Sequence, residues 1–179
     1  VADSFFSNNQ IETASLPAIQ NIALEPVSAR YRMLNLCVCS SVTVAILLML
    51  GLLLYQPIVR LPEDVRVLLP LLMILTGGVG GARFVYHLIA DSKVRFALRE
   101  NDLVLEQGLF FSTLLCQPIL RIQHVELSRG LLQRWAGLAS LKVYSAGGAG
   151  HTFEIPGLER DVAQKLRHFI VHHSALDAK

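Results

Sequence analysis

Charge is scarce in this sequence. Only 17% of its 179 residues are Asp, Glu, Lys or Arg, 53% are hydrophobic, and mean hydropathy is +0.47. Soluble domains carry about 25% charged residues, so an ordinary soluble domain fits poorly. Disorder needs low hydrophobicity and high net charge and is excluded. The net charge of +2 leaves no basic excess for a nucleic-acid binder. Cysteine is nearly absent too. Cys37, Cys39 and Cys116 have neither the spacing of a disulfide framework nor that of a metal knuckle. Trp135 is the single tryptophan.

The apolar residues that replace the missing charge are concentrated. Met33 to Tyr55 is 23 residues without a charge. As a helix it would be about 34 Å long, against roughly 30 Å of bilayer hydrocarbon. A buried soluble helix rarely runs so long without a charge. A secretory signal fits poorly as well, because its apolar region is only about 7–15 residues long and this run begins after residue 32. A second run, Val67 to Ala82, lies between Arg66 and Arg83, whose long stems can snorkel to the two interfaces. Phe84, Val85, Tyr86 and His87 extend it, and Pro70 is tolerable near its start. Pro57, Pro62, Glu63 and Asp64 lie in the short connection, which predicts a transmembrane helical hairpin with spans at about 33–55 and 66–87. Arg30, Arg32, Arg83, Lys93, Arg95 and Arg99 flank one side, and Arg60 and Arg66 the other. That bias predicts both termini in the cytoplasm.

Within the second span, Gly77 and Gly81 form a G-x-x-x-G pair, a candidate for close helix packing in lipid. A nucleotide-binding glycine loop fails here, since Arg83 falls where the third glycine belongs and no strand precedes it. The packing partner is either the first span, with small residues Ser40, Ser41, Ala45 and Gly51, or another chain.

Residues 1–29 contain no Lys or Arg before the tail ends, and carry Pro17 and Pro26. They read as a mostly extended, polar cytoplasmic tail that can pack onto the soluble part, with the hairpin occupying 30–90. From Asp91 the pattern turns to period two, predicting short strands around Val94–Leu98, Leu103–Glu106, Leu109–Cys116, Ile122–Ser128, Ala139–Tyr144 and Thr152–Ile155. Gly130 and Gly137 bracket a predicted helical turn. Pro156-Gly157 reads as a break, followed by an amphipathic helix with Leu158, Val162, Leu166, Phe169 and Ile170 on one face. Residues 91–173 thus form a small α+β domain, followed by a tail at 174–179.

No catalytic or cofactor-binding pattern stands out. No Ser-His-Asp arrangement is evident. His124 and Glu126 share a strand face without a nucleophile, and Cys116 lacks an activating context. His168 and His172, four apart, could share a metal, but a zinc site would need further ligands and none is evident, so no metal is expected.

The stretch Pro118-Ile119-Leu120-Arg121-Ile122-Gln123-His124-Val125, then Ser128-Arg129-Gly130-Leu131-Leu132-Gln133-Arg134 and Gly137-Leu138-Ala139-Ser140-Leu141-Lys142-Val143, is specific. It is followed by a glycine-rich turn and Ile155-Pro156-Gly157-Leu158. With Ala23-Leu24-Glu25-Pro26 and Arg30-Tyr31-Arg32 upstream, the chain resembles the bacterial pleckstrin-homology-like membrane proteins of the YdbS type over about residues 20–173. The resemblance implies a pleckstrin-homology-like antiparallel β-barrel or half-barrel capped by a C-terminal helix. It brings no catalytic residues. It implies partners of the same family, in a homo- or hetero-oligomer that includes a larger protein with repeated copies of the domain.

The expected function is therefore non-enzymatic: an interaction domain held at the cytoplasmic face of a bacterial plasma membrane, acting in protein assembly. Arg121, Arg129, Arg134, Trp135 and Lys142 are the candidate lipid or partner surface. The alternative is an anionic-lipid sensor, where each Lys or Arg near the headgroups contributes about 1 kcal/mol. A membrane enzyme would need a deep polar cleft near His124 or His168. For Trp135 the structural alternative is a plug at the barrel end or against the membrane interface.

Overall fold

A computed structural model describes residues 23–57, 62–145 and 153–176. Most of the predicted tail over 1–29, the middle of the helix-to-helix connection with Arg60, the glycine-rich turn at 147–150 and the end of the chain lie outside the described residues.

Two long helices come first, α1 (Ala29–Tyr55) and α2 (Glu63–Ala90), packed against each other as an antiparallel hairpin. At 27 and 28 residues, each is about 40 Å long, enough to cross a bilayer. Their outward surfaces are apolar and exposed, including Leu48, Leu52, Leu71 and Ile74. Such a surface is tolerable in lipid and costly in water. Pro70 sits inside α2, two turns from its start.

The domain is built from β1 (Glu25–Pro26), β2 (Arg95–Leu98), β3 (Asp102–Gln107), β4 (Thr113–Pro118), β5 (Ile122–Ser128), β6 (Leu138–Ser145) and β7 (Phe153–Glu159). The short helix α3 (Leu131–Trp135) lies between β5 and β6, and α4 (Arg160–Leu176) follows β7. All pairings are antiparallel, in two sheets ordered β1-β2-β3-β4 and β5-β6-β7. A 3₁₀ turn at Ile119–Arg121 carries the chain from one sheet to the other. This is the expected pleckstrin-homology-like half-barrel with a capping helix. Its core joins Leu103 and Leu105 of β3, Ile119, Leu141 and Val143 of β6, and Ile155 and Leu158 of β7 to Ala163, Leu166 and Ile170 of α4. Alternation explains most of this. Leu103 and Leu105 share one strand face, and Ala163, Leu166 and Ile170 recur at helical spacing.

Four local expectations are corrected. First, residues 25–28 are part of the domain: β1 pairs Glu25 with Phe96 and Pro26 with Arg95, and Val27 is in the core. Second, Pro156-Gly157 does not end β7. Gly157 takes φ +68°, and the strand runs on to Glu159, with a register irregularity between Ala139 and Leu141 of β6. Third, Leu158 therefore belongs to the strand, and Val162 is exposed, so the buried face of α4 is rotated toward Ala163. Fourth, β4 begins only at Thr113. Residues 108–112 form a turn, with Gly108 at φ +118°.

Candidate functional site

The place where the hairpin meets the domain is the most densely tied region outside the core. Ser28 stands at its centre. Its backbone N–H donates to the Gly157 carbonyl (3.1 Å), and its hydroxyl donates to Glu159 (3.4 Å). That hydroxyl also accepts from the Arg30 N–H, capping α1. One residue earlier, the Val27 N–H donates to the Val94 carbonyl at the other crossing point (3.3 Å). Gly157 has no room for a side chain, because a Cβ there would strike the Tyr31 ring.

The two helices are pinned at the same level. Asp91 ends α2 with its backbone N–H on the His87 carbonyl; its buried carboxylate accepts from Asn35 of α1 (2.8 Å), and the His87 ring approaches the same carboxylate at 3.2 Å. About two turns deeper, the backbone of Gly80 takes the Thr43 side chain in direct contact, and Thr43 itself bonds back to the Cys39 carbonyl (2.8 Å). The inward contact therefore runs through Gly80. At Gly77 and Gly81 a Cβ would meet nothing within 4 Å among the described residues.

The residues singled out from the sequence do not converge. Arg129, Arg134 and Trp135 follow β5, at the end of the second sheet where Ser128 pairs with Ser140. Arg129 donates to the Leu138 carbonyl (3.4 Å), while Arg134 is exposed and Trp135 is 89% exposed, so Trp135 plugs no barrel end. Arg121 precedes β5 at the opposite end, next to Ile122, which pairs with Ser145. A seven-residue strand separates Arg121 from Arg129 by roughly 25 Å. Lys142 lies mid-strand, flanked in register by Glu126 and Glu154. Opposite charges at facing positions attract across a sheet.

Two clefts stand out. One, about 400 Å³, runs between the β1–β2 edge and α4 and is lined by Glu25, Phe96, Leu98, Val162, Lys165 and Phe169 among others. The other, about 310 Å³, lies between the helices beside Asn35, Cys39, Thr43, Arg83 and His87. Near the residues considered for chemistry the surface is open. His124 and Glu126 are exposed on β5, where Glu126 accepts from Tyr144 (3.0 Å). That bond pushes the Tyr144 phenol up from its ordinary value near 10. Burial, and after it the Asp102 carboxylate, pushes the Cys116 thiol up, which disfavours the reactive thiolate. His168 and His172 face each other at 3.0 Å, in a depression lined by α4 alone. Among the described residues, no three His, Cys, Asp or Glu side chains gather as a metal site.

Sequence reasoning missed Asn35, Asp91, Gly80 and Gly157. The available signal was weak: Asn35 is a polar residue inside an otherwise apolar run, and Asp91 is the first acid after the second run. Which helix face each occupied depended on a packing partner the periodicity does not reveal.

The family model described as "Bacterial PH domain" matches residues 34–173. That interval takes in nearly all of α1, the whole of α2 and the domain up to α4. The chain belongs to the bacterial PH-domain family. It is also 30% identical over 84 residues to the UPF0699 transmembrane protein YdbS of Bacillus subtilis (strain 168). The match covers 47% of this chain and 51% of that relative, so the chain spans about half the length of the curated relative it matches. No solved structure matches it. This bacterial PH-domain protein thus has two helices long and apolar enough to cross a membrane, leading directly into the PH-like fold.

Proposed function

We propose that this bacterial PH-domain protein is a non-enzymatic docking platform that holds its domain at the cytoplasmic face of the plasma membrane, where it takes part in protein assembly. Both helices cross the bilayer, and both termini are cytoplasmic. The observation that carries this reading is the absence of a linker. Ser28 joins β1 to α1 and is held by a hydrogen bond to Gly157 of β7, and Asp91 joins α2 to the turn before β2 and is held by one from Asn35 of α1. A domain fixed in this way presents its surface at one height above the bilayer and at high local concentration. The cations Arg30, Arg32, Lys93 and Arg95 gather at the domain end of the hairpin, as the cytoplasmic orientation requires. The outward Gly77–Gly81 face and the cleft beside β1 are the surfaces offered to partners of the same family.

The test is extraction of the full chain at native expression into lipid-copolymer discs, followed by native mass measurement. Complexes with further copies or with another PH-domain protein are expected. Monomers alone would sink the reading. An anionic-lipid reading has support in exposed Arg134 near the junction. It requires hydrogen exchange across α3 to slow in anionic discs but not in neutral ones, and to recover with salt.

A further inference from the structure

The turn between β3 and β4 carries two neighbouring phenylalanines that the fold leaves bare. Phe110 is 84% exposed and Phe111 88% exposed. Gly108 sets the turn: at φ +118° it brings the Phe111 carbonyl so close that no Cβ would fit. The side chains are therefore held out by a tight, shaped loop. Two adjacent bare aromatics on a water-facing tip are costly.

The register shows where this tip lies. Arg95, the first residue of β2, pairs with Glu106, and Gln107 pairs with Thr113. The tip at 108–112 is therefore at the end of the first sheet where α2 delivers the chain through the turn at Asp91–Lys93. Pro26 pairs with Arg95 at the same end, and Ser28 starts α1 from there. Neighbouring strands are about 4.8 Å apart, so the tip stands beside the two helices, one strand further out. The second sheet repeats the arrangement. Its end at Ser128–Ser140 carries α3, with exposed Leu131 and Trp135 one turn apart, and α3 touches α1. Exposed Lys93 and Arg95 stand by the first tip and Arg134 by the second.

We infer that the Gly108–Ser112 tip is a membrane foot: Phe110 and Phe111 insert into the interfacial layer of the same bilayer that α1 and α2 cross. The occupant is lipid because the tip continues the lipid-facing surface of the hairpin. Aromatic side chains settle in that layer, with cations at its edge. The inference rests on α1 and α2 being bilayer spans.

Single-tryptophan variants of the full chain test it. In a Trp135→Phe background, reporters are placed at Phe110→Trp, at Leu120→Trp on the opposite end of the domain, and at Leu48→Trp on the outer face of α1. Each is reconstituted into discs with and without brominated acyl chains. The Leu48 reporter must be quenched, which checks the spans independently of the tip. The inference expects blue-shifted emission and bromine quenching at Phe110→Trp, equal in neutral and anionic lipid, with Leu120→Trp unquenched and open to iodide. A Phe110→Trp reporter open to iodide and untouched by bromine would overturn it. So would a blue shift without bromine quenching, which would mean a protein partner. Quenching at both 110 and 120 would also overturn it, because the domain would then lie on its side. Unmutated Trp135 supplies a reporter in the unsubstituted protein and should be quenched by the same lipids.

Discussion

Gly157 and Gly77 are the same residue type in opposite situations. At Gly157 the backbone is left-handed and the Tyr31 ring fills the space of a side chain. Gly157→Ala should lower stability by at least about 1–2 kcal/mol, from the backbone term alone, as read by thermal unfolding in detergent. Gly77 is helical and unencumbered, so Gly77→Ala should leave the monomer's stability unchanged or raise it by up to about 1 kcal/mol. If α2 pairs with another chain there, a larger residue such as Leu should dissociate the complex without unfolding the monomer. In the core, Leu141 is fully buried, and Leu141→Ala should cost about 2–5 kcal/mol. Tyr144 adds a pH dependence. Its folded pKa is raised, chiefly by the bond to Glu126. Its contribution to stability is therefore complete below about pH 10 and is lost as pH rises through the folded value. Glu126→Gln should bring the phenol titration, followed by ultraviolet absorbance against Tyr144→Phe, down toward the ordinary range.

The elements were legible in unequal measure. The two helices were evident because a bilayer span needs only a long stretch without charge, which no tertiary partner has to explain. The longer strands were evident because burial on one face imposes alternation. β1 was not: two residues carry no periodicity, and Glu25-Pro26 becomes a strand only because β2 is beside it. β7 was cut short because Pro-Gly ordinarily signals a turn, whereas here the glycine serves a close approach to α1. The 108–112 tip was absorbed into a strand because Leu109-Phe110-Phe111 is as apolar as any core segment. The candidate surface was the least legible part. Arg121 and Arg129 are eight apart in sequence, and only the strand between them shows that they occupy opposite ends. At the junction, Asn35→Leu removes the donor nearest the Asp91 carboxylate. It should cost about 1–3 kcal/mol and speed hydrogen exchange around residues 91–95, while exchange in β6 stays unchanged.

For the whole molecule, the boundary between membrane part and domain is not a point along the chain. β1, Val27 and the Tyr31 ring come before or within the first helix, yet all belong to the domain's packing. A fragment beginning at Asp91 would lack them. It should show fast exchange across β2 and a lower unfolding temperature than the same domain in the intact chain. The double crossing has a mechanical result. The uncharged stretch of α1 spans about 34 Å against roughly 30 Å of bilayer hydrocarbon, so in a bilayer α1 leans, and α2, packed along it, leans with it. With Ser28 and Asp91 both clamped, a change of lean cannot be absorbed at a hinge. It turns the domain as a crank turns with its shaft, so bilayer thickness becomes an angle of the domain.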